Sequence, residues 1–320
     1  MRRRDFIAAI ASATAWPHAA RAQHPTMVIG WLSNAPEARV PHLFAALRRG
    51  LADAGYVEGK NLTIEYRVYT QELLHEAVSD LVLRKVNVIF AIPPAVAAAT
   101  NATTSIPIVA IDLEDDPVAN GYVESLARPG GNITGIFLDI PELSGKQVGL
   151  LKEIIPHLSR VAILGVPGLN ATQFAAAELS ARALGLEAEI MEVRSADDFE
   201  RAMEAASRKH VGAAILLSSP LAFLSFRKIG ELALGKRLPV ISLLAEFPRS
   251  GGLIAYGPNI GELWRRAGDY VGKILHGAKP GELPIQRPER FDLVINVKTA
   301  GALGVTVPPT LLATADEVVE

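Results

Sequence analysis

The chain has 320 residues, of which 49% are hydrophobic and 21% charged, with a formal net charge of -2 and no cysteine. This composition excludes a disordered chain, and the length predicts about two domains. The lack of cysteine excludes disulfides, thiolate metal sites and a lipid-modified N-terminal cysteine, while the near-neutral charge argues against nucleic-acid binding.

Residues 1–22 have the organisation of an export signal. Arginines precede an apolar segment, and Ala20 and Ala22 provide a small-x-small cleavage site. The sequence RRDFI at 3–7 resembles the twin-arginine pattern. We therefore expect a periplasmic protein that is cleaved near Ala22 and keeps a formal charge of -5. An amphipathic first helix of a cytosolic domain is the alternative.

The next part of the chain alternates strands with helices. Apolar runs predict strands at 27–33, 62–67, 88–92 and 108–112. Apolar residues at helical spacing predict helices over 43–51, 73–82 and 95–103. Such alternation is typical of a doubly wound parallel sheet.

Turn-rich breaks at 128–132, 248–252 and 279–281 divide the remaining pattern. The predicted strands and helices between and after the breaks are strands 134–139, 161–165, 187–193, 212–218, 238–243, 253–256 and 291–296, and helices 142–155, 171–184, 197–209, 221–235 and 262–276. We interpret the whole as α/β, with two Rossmann-like lobes, three crossing segments and a ligand cleft between the lobes. One large sheet is the alternative, but it would need about ten strands, near the upper limit for a twisted sheet.

The breaks also predict which segments form each lobe. The N-terminal lobe is expected to contain residues 27–131 and 253–280. The C-terminal lobe is expected to contain residues 132–252 and 281–320.

Enzyme signatures are absent from the sequence. It has no G-x-G-x-x-G after the first strand, no phosphate-binding G-x-x-x-x-G-K-[ST] and no G-x-S-x-G elbow. The seven histidines lack the spacing of metal ligands. We therefore expect no catalysis, no cofactor and no metal.

Polar residues and helix starts follow the predicted strands at their carboxyl ends, where open α/β sheets bind ligands. The candidate ligand-binding residues are Ser33, Asn34, Pro93, Pro94, Ala95, Asp116, Asn170, Ser218, Ser219 and Glu246.

Two features of this set indicate a ligand that carries a negative and a positive charge. Helix N-termini near 95 and 171 attract a carboxylate, while the acidic residues of 112–116 and Glu246 could hold an ammonium group. The ligand predicted from these charges is an amino acid or a related small carboxylate. Other roles stay open: Asp116 and the Ser218–Ser219 pair as helix caps, and Glu246 as a solvated surface charge.

Three long segments carry a family resemblance. They are SIPIVAIDLEDDPVANGYVESLARPGGNITGI at 105–136, LLKEIIPHLSRVAIL at 150–164, and the run from GGLIAYGPN at 251 to VTVPP at 309. With these segments and its RRRDFI leader, the chain resembles bacterial ABC transporter substrate-binding proteins of the type I periplasmic binding protein fold. The similarity covers essentially all of the chain and is strongest to the branch with tryptophan- and tyrosine-binding members.

The resemblance implies a receptor that closes on a small solute and delivers it to an inner-membrane permease. We expect a monomer that binds no nucleic acid. The chain departs from the family at three places: Pro93 stands where Thr or Ser is frequent, Val166-Pro167 where Asn-Pro is frequent, and Ser219 where Asp is frequent. The alternatives are a periplasmic α/β enzyme using Asp116 or Glu246 as acid or base, and the ligand-sensing domain of a regulator.

Overall fold

The computed structural model describes residues 26–112, 116–137 and 140–320, and these residues form two separate β-sheets flanked by helices. The predicted α/β class with two sheets is confirmed, and the single large sheet is wrong. The predicted export signal and its cleavage site lie outside the described residues.

The first sheet has five strands in the order β2-β1-β3-β4-β5, and every neighbouring pair is parallel. The strands are β1 (Met27–Ser33), β2 (Leu62–Val68), β3 (Val88–Ala91), β4 (Ile108–Asp112) and β5 (Ile133–Phe137). The inner strands β3 and β4 are buried along their whole length, because helices cover both faces of the sheet.

The second sheet has seven strands in the order β12-β11-β10-β9-β8-β6-β7. They are β6 (Arg160–Gly165), β7 (Glu187–Glu192), β8 (Ala213–Leu216), β9 (Val240–Ser242), β10 (Ile254–Pro258), β11 (Phe291–Asn296) and β12 (Glu317–Val319). Strands β10 and β11 pair antiparallel, whereas the other neighbouring pairs are parallel.

Helices connect the strands in both sheets. In the described residues they are α1 (Pro41–Asp53), α2 (Leu74–Leu83), α3 (Ala95–Ala102), α4 (Ile140–Ile154), α5 (Ala171–Ala183), α6 (Asp198–Arg208), α7 (Pro220–Leu224), α8 (Phe226–Gly235), α9 (Glu246–Arg249), α10 (Ile260–Leu275), α11 (Val297–Leu303) and α12 (Pro309–Thr314). Most bounds agree with the predicted elements within two residues. The predicted helix 221–235 is divided at Ser225, and α9, α12 and β12 were not predicted.

Helix α10 follows a strand of the second sheet but packs on α1 beside the first sheet. The two helices cross at glycines: a Cβ atom added to Gly50 would lie 1.9 Å from the carbonyl oxygen of Arg265. One added to Gly268 would lie 2.4 Å from the carbonyl oxygen of Leu47. The close crossing therefore requires residues without side chains at both positions.

The predicted lobe boundaries place two strands in the wrong sheet. Strand β5 belongs to the first sheet, where it pairs with β4, and β10 belongs to the second, beside β9. The loop at 128–132 is thus a turn within the first sheet, and the chain leaves that sheet only after β5. The chain returns at the start of α10.

The third connection also lies later than predicted. The amide of Gln286 donates to the carbonyl oxygen of Gly135 (3.0 Å), and the amide of Phe137 donates to that of Gln286 (3.0 Å). Residues near 286 therefore still pack on the first sheet, and the crossing falls between Gln286 and β11 rather than at 279–281. Tyr270 of α10 strengthens this arrangement by donating to the carbonyl oxygen of Pro284 (2.5 Å).

Candidate functional site

A cavity of about 110 Å³ lies where the carboxyl ends of strands from both sheets meet. Ser33, Pro93 and Ile111 reach it from β1, β3 and β4 of the first sheet. Ser218 and Leu244 reach it from the segments after β8 and β9 of the second. We call this space the intersheet cavity. Its position is the one where open α/β sheets bind ligands.

Apolar side chains form most of the wall. The apolar residues that line the cavity are Ala35, Val40, Leu43, Ile92, Pro93, Ile111, Pro220, Phe223, Leu224, Leu244, Ile260 and Trp264. The volume is of the order of an engineered apolar cavity that holds benzene, about 150 Å³. The intersheet cavity therefore fits an apolar group of about the size of one ring.

An aromatic cluster supports the wall on the side of the first sheet. The ring of Trp264 lies 5.2 Å from the rings of both Trp31 and Phe90, and Trp31 stacks on Phe44 at 3.7 Å. Trp31 is fully buried. Because these rings are packed against one another, Trp264 is held in place before any ligand arrives.

The polar lining is small and consists of Ser33, Asn34, Ser218 and Ser219. Ser33 Oγ donates to the carbonyl oxygen of Ala35 (2.9 Å), and Ser219 Oγ accepts from the amide of Ala222 (3.1 Å) as the cap of α7. The cap interpretation of Ser219 is confirmed. Asn34 is partly buried, and its side-chain amide has no hydrogen bond within the described part of the chain. It can therefore donate to and accept from a ligand.

Asn170 lies behind the cavity rather than in its wall. It is fully buried, its Oδ1 accepts from the amide of Val166 (2.7 Å), and its Nδ2 donates to the carbonyl oxygen of Ser218 (2.6 Å). Gln173 adds a second clamp, since its Oε1 accepts from the amide of Ser218 (3.1 Å). Both side chains therefore fix the Ser218–Ser219 segment at the cavity.

Three further candidates lie outside the cavity wall. Pro94 and Ala95 stand at the start of α3, and Ala95 is fully buried with its amide donating to the carbonyl oxygen of Ile92 (2.8 Å). Asp116 is a turn cap, because its Oδ1 accepts from the amides of Val118 (2.9 Å) and Ala119 (3.2 Å). Glu114 and Asp115 of the predicted acidic cluster lie outside the described residues.

Glu246 pairs across the gap between the two sheets. Its Oε1 lies 3.7 Å from Nε2 of His42 on α1, and 3.9 Å from Nη1 of Arg249. Its Oε2 is buried and has no hydrogen-bond partner in the described residues. The interpretation as a solvated surface charge is wrong, because only 17% of the side chain is exposed.

The sequence interpretation missed the residues that give the cavity its apolar character. The predicted helices contained Leu43, Phe223 and Trp264 without assigning them to the site, and Val40 and Ile260 lay just outside the predicted helices. The sequence contained a signal for two of them. Ile260 and Trp264 lie in the first turns of the helix that follows the turn AYGPN, and this helix begins where the chain crosses between the lobes.

None of the helices within 26–112, 116–137 and 140–320 is long and apolar enough to span a bilayer. The same ranges contain no group of three or more His, Asp or Glu side chains that could hold a metal ion.

Comparisons with known proteins agree with this arrangement. The family model described as ABC transporter substrate binding protein matches residues 42–319. A tyrosine-binding protein of Clostridioides difficile (strain R20291) is 26% identical over 266 residues, which cover 80% of this chain and 74% of the relative.

Two crystal structures have the same fold. A conserved domain protein from Vibrio cholerae superposes with a TM-score of 0.85 at 27% identity, covering 92% of this chain and 99% of that one. An ABC domain from Streptococcus pneumoniae in complex with L-Trp gives a TM-score of 0.84 at 24% identity, covering 92% and 100%. These likenesses identify the fold as that of the type I periplasmic binding proteins.

Proposed function

The chain belongs to the ABC transporter substrate-binding protein family, and we propose that it captures an amino acid with an apolar side chain and delivers it to an inner-membrane ABC permease. The observation that carries the proposal is the intersheet cavity, which takes its wall from both sheets. A ligand in such a cavity contacts both halves only when they are together. It therefore shifts the open–closed equilibrium by its difference in affinity for the two states.

The cavity wall supports the choice of an apolar side chain. Trp264, Leu43 and Phe223 enclose a ring-sized space. Two of the similar proteins point the same way, since one is named for tyrosine and the other contains L-Trp. Burial of apolar surface contributes about 25 cal/mol per Å², so such a side chain supplies much of the affinity.

Two polar side chains fit the carboxylate and ammonium groups of an amino acid. The free amide of Asn34 offers N–H groups to the ligand carboxylate. The buried Oε2 of Glu246, two residues beyond the wall residue Leu244, offers a negative partner to the ammonium group. Ser33, Pro93, Ser218 and Ser219 complete the contacts, Asn170 supports the site from behind, and Pro94, Ala95 and Asp116 lie outside the cavity wall.

Two lobes follow from the sheet memberships. One contains the first sheet with α10 and the segment to about Gln286, and the other contains the second sheet. The chain works as a monomer, since both halves of the cavity come from one polypeptide. Residues 1–22 are an export signal that is cleaved near Ala22, which places the mature protein in the periplasm.

The two candidate acid–base residues, Asp116 and Glu246, do not favour an enzymatic role. Asp116 accepts two backbone hydrogen bonds as a turn cap and does not line the intersheet cavity, and the buried Oε2 of Glu246 is assigned to the ligand's ammonium group. The protein binds its solute without converting it.

A thermal-shift screen of residues 23–320 tests the proposal. L-Trp, L-Tyr, L-Phe and L-Leu are the candidate ligands, with indole-3-propionate and tryptamine as analogues lacking one charge, and glucose and ribose as neutral sugars. A true ligand at 100 times its Kd should stabilise the protein by about 2.7 kcal/mol. Trp31 and Trp264 lie at or behind the cavity, so fluorescence gives a second readout.

We expect at least one amino acid to raise the melting temperature, and both single-charge analogues to bind more weakly. A shift produced by the sugars alone would contradict the amino-acid assignment. Conversion of the bound compound, followed by mass spectrometry, would contradict a purely binding function.

Asn34→Ala is expected to weaken ligand binding about tenfold without changing the stability of the ligand-free protein. The variant removes a hydrogen bond to a charged group, worth about 1.5–3 kcal/mol, but Asn34 makes no side-chain hydrogen bond in the described residues that folding would lose. Calorimetric titration measures the Kd. Asn101→Ala, at the exposed far end of α3, is the matched control and should bind normally. Equal affinity of the two variants would remove Asn34 from the site.

A further inference from the structure

A second and larger cavity, of about 580 Å³, lies beside the same two helices that close the intersheet cavity. His42, Ala46 and Arg49 line it from one face of α1, and Glu262, Arg265 and Arg266 line it from α10. Asn259 and Arg290 also line it, and they lie at the ends of two segments that connect the sheets. We call it the arginine cavity. It draws on both helices and on two of the connections between the sheets.

The charges in the arginine cavity are mostly positive. Four arginines line it: Arg49, Arg265, Arg266 and Arg290. The acidic residues in the wall are Glu262 and Glu289. Glu262 neutralises Arg265, which donates to both of its oxygens at 3.0 and 2.8 Å, and this pairing lowers the pKa of Glu262. Glu289 approaches Arg266 at 3.3 Å. Outside the wall, Asp53 approaches Arg265 at 3.3 Å and Asp292 approaches Arg290 at 3.2 Å, so Arg49 is the one arginine of the four without an acidic partner in the described residues.

Two guanidinium groups, of Arg49 on α1 and of Arg290 before β11, keep N–H donors available at this space. Arg49 makes no ion pair or hydrogen bond with any residue that the structure describes. Arg290 uses only Nε, which donates to Asp292 (3.2 Å), so its two terminal nitrogens stay available. Gly261 contributes the first turn of α10, where backbone N–H groups lack helical acceptors.

This concentration of positive charge contrasts with the acidic balance of the rest of the mature chain. Guanidinium groups bind tetrahedral oxyanions through paired N–H donors, and a concave site removes part of the competing water. We propose that the arginine cavity is a second binding site, which takes a small phosphate-type dianion between Arg49 and Arg290. A concave space of about 580 Å³ suits a soluble anion better than a flat lipid surface.

The test uses residues 23–320 without any amino-acid ligand, so its result does not depend on the proposed transport function. Sodium phosphate is titrated at pH 7.5 against sodium chloride of equal ionic strength, and melting temperature and heat of binding are recorded. At ten times Kd, saturable binding should raise the melting temperature by about 2–4 °C beyond chloride. The double variant Arg49→Gln/Arg290→Gln should lose at least tenfold in phosphate affinity.

Three controls make the outcome decisive. Arg208→Gln, which changes an exposed arginine of α6, should bind phosphate as the wild type does. Arg49→Gln alone keeps the test valid if the double variant folds poorly, and should weaken binding at least threefold. No effect of phosphate beyond chloride, or full affinity in the Arg49 variant, would overturn the site. Binding to phosphatidylglycerol vesicles with no response to inorganic phosphate would overturn the assignment to a soluble anion.

Discussion

Gly50→Ala is expected to lower the free energy of unfolding by about 3 kcal/mol, the upper part of the range for overpacked cores. The added Cβ would lie 1.9 Å from the carbonyl oxygen of Arg265, which is backbone and cannot rotate away. Helices α1 and α10 would have to move apart along a buried contact. Urea unfolding of the mature protein measures the loss, and the melting temperature should fall by about 6–12 °C.

Whether Gly50→Ala lowers or raises the free energy of unfolding shows whether packing or helix propensity dominates at this position. Alanine favours a helix by about 1 kcal/mol over glycine, so propensity alone would make the variant more stable. Gly149→Ala is the matched control, because it lies in α4 and its added Cβ would have no atom within 4 Å. It should be neutral or stabilising. Equal stability of the two variants would mean that the α1–α10 contact tolerates a side chain.

The same displacement should also weaken ligand binding. Helix α1 supplies Leu43 to the intersheet cavity, and α10 supplies Ile260 and Trp264. When the helices separate, these walls no longer meet the ligand together. The glycine crossing therefore connects the stability of the first sheet with the shape of the site.

Asn170→Ala is expected to cost about 2–3 kcal/mol of stability and to weaken ligand binding at least tenfold. The substitution leaves the partly buried amide of Val166 without its acceptor and the buried carbonyl of Ser218 without its shorter donor. A buried polar group left unpaired costs about 1–3 kcal/mol. The Ser218–Ser219 segment then keeps only the hydrogen bonds of Gln173 to hold it at the cavity. Urea unfolding and calorimetric titration measure the two effects.

Asn61→Ala provides the comparison. Asn61 also accepts from one backbone amide, of Val57 at 2.8 Å, and donates to one carbonyl, of Gly55 at 2.9 Å. It lies before β2, away from the cavity wall. Its loss should therefore lower stability but leave the Kd unchanged. If Asn170→Ala also retains normal affinity, the positioning role of Asn170 is wrong.

The sequence alone determined the local elements and where they end. Apolar runs and helical spacing gave β1 at 27–33 and β11 at 291–296, and the small and polar residues after them marked the strand ends. These features depend on residues a few positions apart, which hydrophobic periodicity records. For the same reason Ser33, Asn34, Pro93, Ser218 and Ser219 were found at the edge where the cavity lies.

Only the tertiary structure decided which elements meet. Strands pair through backbone hydrogen bonds that are common to all sequences, so nothing within 133–137 or 254–258 states which sheet the strand joins. The role of Asn170 likewise depends on Ser218, 48 residues away. Trp264 becomes a cavity wall because two glycines let α10 lie against α1. Contacts over such sequence distances arise from packing, which no local pattern encodes.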